Sequence, residues 1–105
     1  MSPIELAIRH NVERHRFEAD LEGGALAIAE YNVRRGKVAF THTEVPAEYG
    51  GRGIGTALVR FALGWARDSG LKVIPLCPFF AAYIGNHPDE QDLLEPSYRE
   101  RMRLA

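Results

Sequence analysis

The chain carries a single cysteine, Cys77, so no disulfide closes within it and a stapled secreted miniprotein is excluded. Neither sign of charge predominates: 13 Lys and Arg stand against 14 Asp and Glu, a net of −1 with a pI near 6.4. That balance argues against a nucleic-acid binder working through a broad basic face. Arg, Glu or Gly breaks every apolar run well short of the roughly 20 residues that cross a bilayer, so no membrane span is expected. The opening Met1-Ser-Pro-Ile-Glu-Leu lacks the basic-then-apolar order of a secretory signal. Repeats, low-complexity stretches and linkers are absent as well. Leu, Ile, Val and Phe make up roughly a quarter of the 105 residues, enough to build a core. The expectation is one small cytoplasmic domain spanning residues 1–105.

The first half reads as strands. Arg16 to Leu21 alternates, with Phe17, Ala19 and Leu21 on one face and Glu18, Asp20 and Glu22 on the other, which suits a strand with one wet face. Gly23-Gly24 supplies the positive φ angles of a tight turn. Ala25 to Val33 is apolar on both faces through Ala29, as a more central strand requires. Arg34-Arg35-Gly36 turns the chain into Lys37 to Val45, rich in β-branched and aromatic residues. Three strands with two short turns make an antiparallel meander.

After Pro46 the period changes. Ile54, Leu58, Phe61 and Trp65 mark one face of an α-helix, with Gly70 placed to cap it. Leu71 to Cys77 reads as a further strand, so a right-handed crossover to a parallel neighbour is expected. Phe79 to Asn86 predicts a short helix, with Pro78 in its first turn and His87-Pro88 stopping it. Beyond Glu95 a charged helix or tail follows. Ile4 to Asn11 is too short and too mixed in polarity for a helix. The fold class is α+β with a mixed sheet.

The most informative stretch is Tyr49-Gly50-Gly51-Arg52-Gly53-Ile54-Gly55-Thr56, between a strand and an amphipathic helix. Glycines there expose successive amides, and a helix start adds its own unpaired donors and positive dipole end. Together they form a cradle for phosphate or diphosphate, with Arg52 as a charged donor at its rim. A P-loop needs a lysine that is missing here. The dinucleotide fingerprint needs a glycine where Thr56 or Leu58 stands. Pro75, read as lying inside the second crossover strand, cannot donate to a ladder. It marks either an ordinary edge strand or a place where two strands part and leave backbone groups for a ligand.

Gly50-Gly-Arg-Gly53-Ile-Gly55 resembles the acyl-CoA diphosphate loop of the GNAT superfamily of N-acetyltransferases, Q/R-x-x-G-x-G/A. More closely, THTEVPAEYGGRGIGTALV followed by GLKVIPLCPFFAAYIGNHPDEQDLL is similar to a compact GNAT-like subfamily of about this length. The resemblance covers about Phe17 to Leu94. The opening Q/R is Gly50 here, and Arg52 occupies a position often filled by Gln or Arg. The resemblance implies a minimal GNAT-like fold, a meander followed by a β-α-β crossover and a short helix, with splayed strands that admit the arm of acetyl-CoA. It implies cofactor binding by Gly50, Gly51, Arg52, Gly53, Ile54, Gly55 and Thr56, with the backbone of Thr43 and Val45.

Acetyl transfer to an amine needs a group to take the amine's proton, donors for the developing oxyanion and a proton for the departing thiolate. Glu44, at the end of the strand feeding the loop, is the first choice as base and His42 the second, since the superfamily often draws its base from this strand. Period two puts Val38, Phe40, His42 and Glu44 on one face. The alternatives are a solvated strand-end carboxylate and a packing histidine. Tyr83 matches the helix position where the superfamily commonly carries a tyrosine general acid; otherwise it is an amphipathic core residue. Cys77, before a helix start that lowers a thiol's pKa, is either an acyl-accepting nucleophile or an inert buried side chain. His10, His15 and His87 lack metal-ligand spacing, so no metal is expected. Arg99, Arg101 and Arg103 read as a solvated tail. The function this implies is an acetyl-CoA-binding N-acetyltransferase, working by direct attack of an amine acceptor, as a monomer without nucleic acid or membrane. No helical counterpart of the superfamily's N-terminal acceptor-pocket helices precedes Arg16, so an open acceptor site is expected, taking the amine of a partner protein (a lysine or N-terminus) or of a small polyamine-like molecule. A non-catalytic acyl-CoA binder and a protein interaction module remain as rivals.

Overall fold

Four strands come first: β1 (Ile8–Asn11), β2 (Arg16–Asp20), β3 (Leu26–Arg34) and β4 (Lys37–Glu44). They precede helix α1 (Ile54–Asp68), strand β5 (Lys72–Pro75) and helices α2 (Pro78–Gly85) and α3 (Pro96–Arg101). The structure, a computed structural model, describes residues 7–102. The sheet runs in order β1-β2-β3-β4-β5, antiparallel through β4 and parallel between β4 and β5. The α+β architecture expected from the sequence is thus the one found, with β3 central. β1 is an addition to the meander. It is an edge strand of four residues, Ile8-Arg9-His10-Asn11, with a single strongly apolar side chain, too little alternation to announce it. Its turn into β2 holds His15 at φ +52°, and Asn11 Oδ1 accepts from the Arg14 amide at 3.1 Å. The residues before Ala7, including Ile4, lie outside the described part, as does Arg103.

One face of the sheet carries the core. Phe17, Ala19, Ala27, Ala29, Val38 and Phe40 are fully buried there against Leu58, Val59, Ala62, Leu63 and Ala66 of α1. The buried stripe of α1 departs from the expected one. Ala62 and Ala66 lie at its centre, letting the helix approach the sheet. Phe61 sits at the flank, with its ring centroid 5.7 Å from that of Phe17, and Trp65 beside it at 5.5 Å. Gly70, at φ +69°, ends the helix as expected, and the Leu71 amide donates back to the Ala66 carbonyl at 2.9 Å. α2 joins the same face through Phe80, stacked on Phe40 at 4.2 Å.

The opposite face is ionic. Glu18, expected on a wet face, is only 2 % exposed. Arg9 and Arg16 close over it at 2.8 and 2.6 Å, and the Asn11 amide donates at 3.2 Å.

Candidate active site

Two irregularities build the site, and both lie where β4 leaves β5. The first is a bulge. Tyr31 pairs with Phe40 and Glu30 with His42, so Thr41 has no residue opposite it. The extra residue corrects the expected facing. Thr43 pairs with the fully buried Ala29 and therefore lies on the core face with Val38 and Phe40, whereas His42 and Glu44 lie on the opposite face. Strict alternation placed them with Phe40; a bulge inserts one step into the count.

The second is the parting of the strands. β4 and β5 pair from Lys37–Lys72 to Phe40–Pro75, and the Cys77 amide makes a last bond to the Phe40 carbonyl at 2.8 Å. Pro75 ends β5, rather than lying inside a strand that reaches Cys77, and β5 is the terminal strand of the sheet. Pro75 thus stands on an edge strand, and the β4–β5 ladder ends beside it while β4 runs on to Glu44. Across the gap, Thr43 Oγ1 lies 3.5 Å from Cys77 Sγ, and Cys77 is buried.

The glycine loop opens α1, on the core face of the sheet. Gly51 and Gly53 hold φ +79° and +75°, and Gly53 caps α1 in the left-handed conformation with no side-chain cap. No amide from Gly51 to Thr56 enters a turn or cap hydrogen bond among the described residues; the first to do so is Ala57, donating to the Gly53 carbonyl at 3.0 Å. A row of unpaired amides at a helix start is an anion cradle. Beside it lies a cleft of about 310 Å³, bounded by Val45, Tyr49, Thr56 and Phe79 as well as the glycines. Arg52 rests over the Tyr49 ring, its guanidinium carbon 5.3 Å from the centroid, which holds the cation at the rim. The Tyr49 hydroxyl donates to the Glu22 carbonyl at 2.9 Å. These residues fit a diphosphate: donors, open space where a Cβ on Gly51 or Gly53 would stand, and a flanking cation.

Two lining residues lie outside the cofactor-binding set expected from the sequence: Tyr49, which opens the glycine stretch, and Phe79. A signal existed for Phe79. A Cβ on Gly55 would lie 2.9 Å from its ring, and glycine within a helix pattern marks such close approach.

The chemical candidates divide into two groups. His42 and Glu44 come together, Nε2 to Oε2 at 3.5 Å, and both are well exposed. Tyr83 is not joined to them. Its hydroxyl accepts from Arg60 Nε of α1 at 3.1 Å, and its ring stacks on His87 at 3.8 Å. Its partners are thus Arg60 on α1 and His87 just beyond the end of α2. Accepting from arginine leaves the phenol's own proton available to donate.

The site thus joins a mixed sheet whose ladder ends beside a glycine-opened helix, free amides at that helix start and a carboxylate–imidazole pair on the opposite face. A profile described as GCN5-related N-acetyl-transferase matches residues 16–93, and the chain belongs to that family. It is 32 % identical over 101 residues to mouse Protein NATD1, covering 93 % of this chain and 86 % of the mouse protein. It is 34 % identical over 94 residues to the chicken NATD1, covering 87 % and 83 %. The solution structure of a GCN5-like protein from Staphylococcus aureus superposes with a TM-score of 0.68 at 31 % identity, over 90 % of this chain and 91 % of that one. No helix of the described residues is long and apolar enough to cross a membrane.

Proposed function

We propose that the protein is an acetyl-CoA-dependent N-acetyltransferase in which cofactor and acceptor meet from opposite faces of the sheet through the β4–β5 gap. The observation that carries this reading is the Thr41 bulge, which puts Thr43 on the core face, the face that α1 covers, and His42 and Glu44 on the other. The amides from Gly51 to Thr56 and Arg52 would hold the diphosphate, with Gly50 and Ile54 shaping the loop. The backbone of Thr43 and Val45 would meet the pantetheine arm. When bound, acetyl-CoA supplies an activated acetyl group.

The protein's own part is acid–base chemistry. A Glu44 carboxylate takes the proton of an incoming ammonium, and His42 at 3.5 Å passes it to solvent. Tyr83 donates to the departing sulfur, its phenol oriented by Arg60. Cys77 serves as packing beside Thr43, because direct attack needs no acyl-cysteine.

Titration with CoA, followed by release of free thiol with a panel of amines, tests the reading. Glu44→Ala is expected to slow transfer about a hundredfold and Tyr83→Phe about tenfold, both with CoA affinity unchanged. Cys77→Ala is expected to keep turnover within a few-fold. Full turnover in both the Glu44 and Tyr83 variants contradicts the assignment, and loss of turnover in Cys77→Ala favours a covalent route.

A further inference from the structure

We infer that the open face of the sheet receives an acidic polypeptide segment, so that the acceptor amine belongs to a chain with carboxylates about six residues away. This rests on the acetyl-transfer reading for the amine's fate, and on the following observations for the carboxylates.

The face opposite α1 is divided. Over β1 and β2 the side chains of Arg9, Arg16, Glu18 and Asp20 close on one another, so the two strand arginines are paired. Over β3, β4 and β5 they do not. A groove of about 630 Å³ runs there, floored by Ala39 and Ile74 and walled by Asn32, Arg34, Arg35 and Lys37. Its volume is about twice that of the glycine cleft.

Arg34 and Arg35 have no hydrogen-bond or ion-pair partner among the described residues, and Lys37 reaches only Glu95 at a loose 3.9 Å. Arg35 also holds φ +52°, a turn position where asparagine or glycine is the unstrained choice. The hairpin therefore keeps a cation at the groove's end at a conformational cost.

The other end of the same face has the opposite sign. Glu30 pairs in register with His42, and Glu44 follows on the same side of β4. From Lys37 to Glu44 a strand rising roughly 3.3 Å per residue spans about 20 Å. An extended chain with its amine at Glu44 thus sets residues some six positions away against Arg34, Arg35 and Lys37. A ligand of complementary polarity has a cation at one end and carboxylates at the other. A polyamine fails this test because its second ammonium meets the arginines.

The test uses the whole protein and labelled peptides read by fluorescence anisotropy without CoA. One peptide starts with lysine and carries glutamates at its positions six to eight; its control carries glutamines there. At low ionic strength the glutamate peptide is expected to bind about tenfold more tightly, with the advantage shrinking as salt rises. The double variant Arg34→Ser, Arg35→Asn is expected to erase that advantage while leaving CoA affinity as it was.

Equal binding of the two peptides overturns the inference, as does an advantage that survives the double variant. Tighter binding of a single-stranded oligonucleotide of equal charge overturns it in favour of a nucleic-acid ligand. The two readings fail separately. Peptide discrimination without thiol release counts against transfer alone, and release from both peptides at equal KM counts against the acidic segment alone.

Discussion

The two faces of the sheet are held together by different physics. Toward α1 the contacts are rings and alanines, dry and fully buried, and stability there scales with the apolar area removed from water. Away from α1 the β1–β2 half is held by a carboxylate under two arginines, while the β3–β5 half is left open. The contrast teaches that packing and chemistry occupy different sides of the same strands. β4 serves both, because one extra residue at Thr41 separates Phe40, which packs, from Glu44, which lies on the open face.

The sharpest break of that contrast is Phe40→Ala. Phe40 is fully buried and stacks on Phe80, so the expected loss is about 3–5 kcal/mol, read from urea unfolding. Its open-face neighbour Ala39→Ser is expected to stay within about 0.5 kcal/mol. Comparable losses at the two sites would erase the distinction between the faces.

Deleting Thr41 comes next. Phe40 would then run straight into His42 with the facing of both preserved, but β4 would lose the step that bends it from β5. The expected result is about a tenfold loss of CoA affinity by calorimetry, with the far-ultraviolet dichroism retained. Unchanged affinity would unlink bulge from gap.

The ionic half is tested by Glu18→Gln, expected to cost about 1–2 kcal/mol. Hydrogen bonding from Arg16, against the opposing effect of burial, holds the Glu18 carboxyl below its usual 4.5, with Asn11 and Arg9 adding to the pull. A depressed folded value means that this stabilisation is complete above pH 4.5 and is lost as pH falls through the lowered value. Thermal midpoints followed downward from pH 6 should drop below pH 4.5 in the parent and drop less in Glu18→Gln. Parallel acid limbs would contradict the pairing. The smallest effect belongs to Arg67, which grips both Asp92 oxygens at 2.7 and 2.9 Å on the surface. Arg67→Ala is expected to cost about 0.5–1 kcal/mol, more at low salt than at high.

How much of this could be read in advance depended on how local the cause is. Gly51 and Gly53 announce their positive φ by being glycine, so the loop and the start of α1 were legible. The meander, the crossover and the central place of β3 followed from period and turn residues. The bulge was not legible, since Thr41 is distinguished only by having nothing opposite it on β3, a property of pairing rather than of sequence. For the same reason strict alternation puts His42 and Glu44 on the wrong face. Glu18 looked wet because its cover comes from Arg9 on β1, a strand of four residues with too little alternation to announce it. The partner of Tyr83 was hidden too, because Arg60 reaches it only once α1 and α2 are packed.

The most direct test of the account is a CoA titration of the isotope-labelled protein followed by amide NMR. The account predicts saturable shifts largest at Gly51 to Thr56 and at Thr43 and Val45, while Arg9, Glu18 and Asp20 on the closed ionic patch stay still. Saturable binding that leaves the loop amides unmoved, or no binding at all, would contradict it.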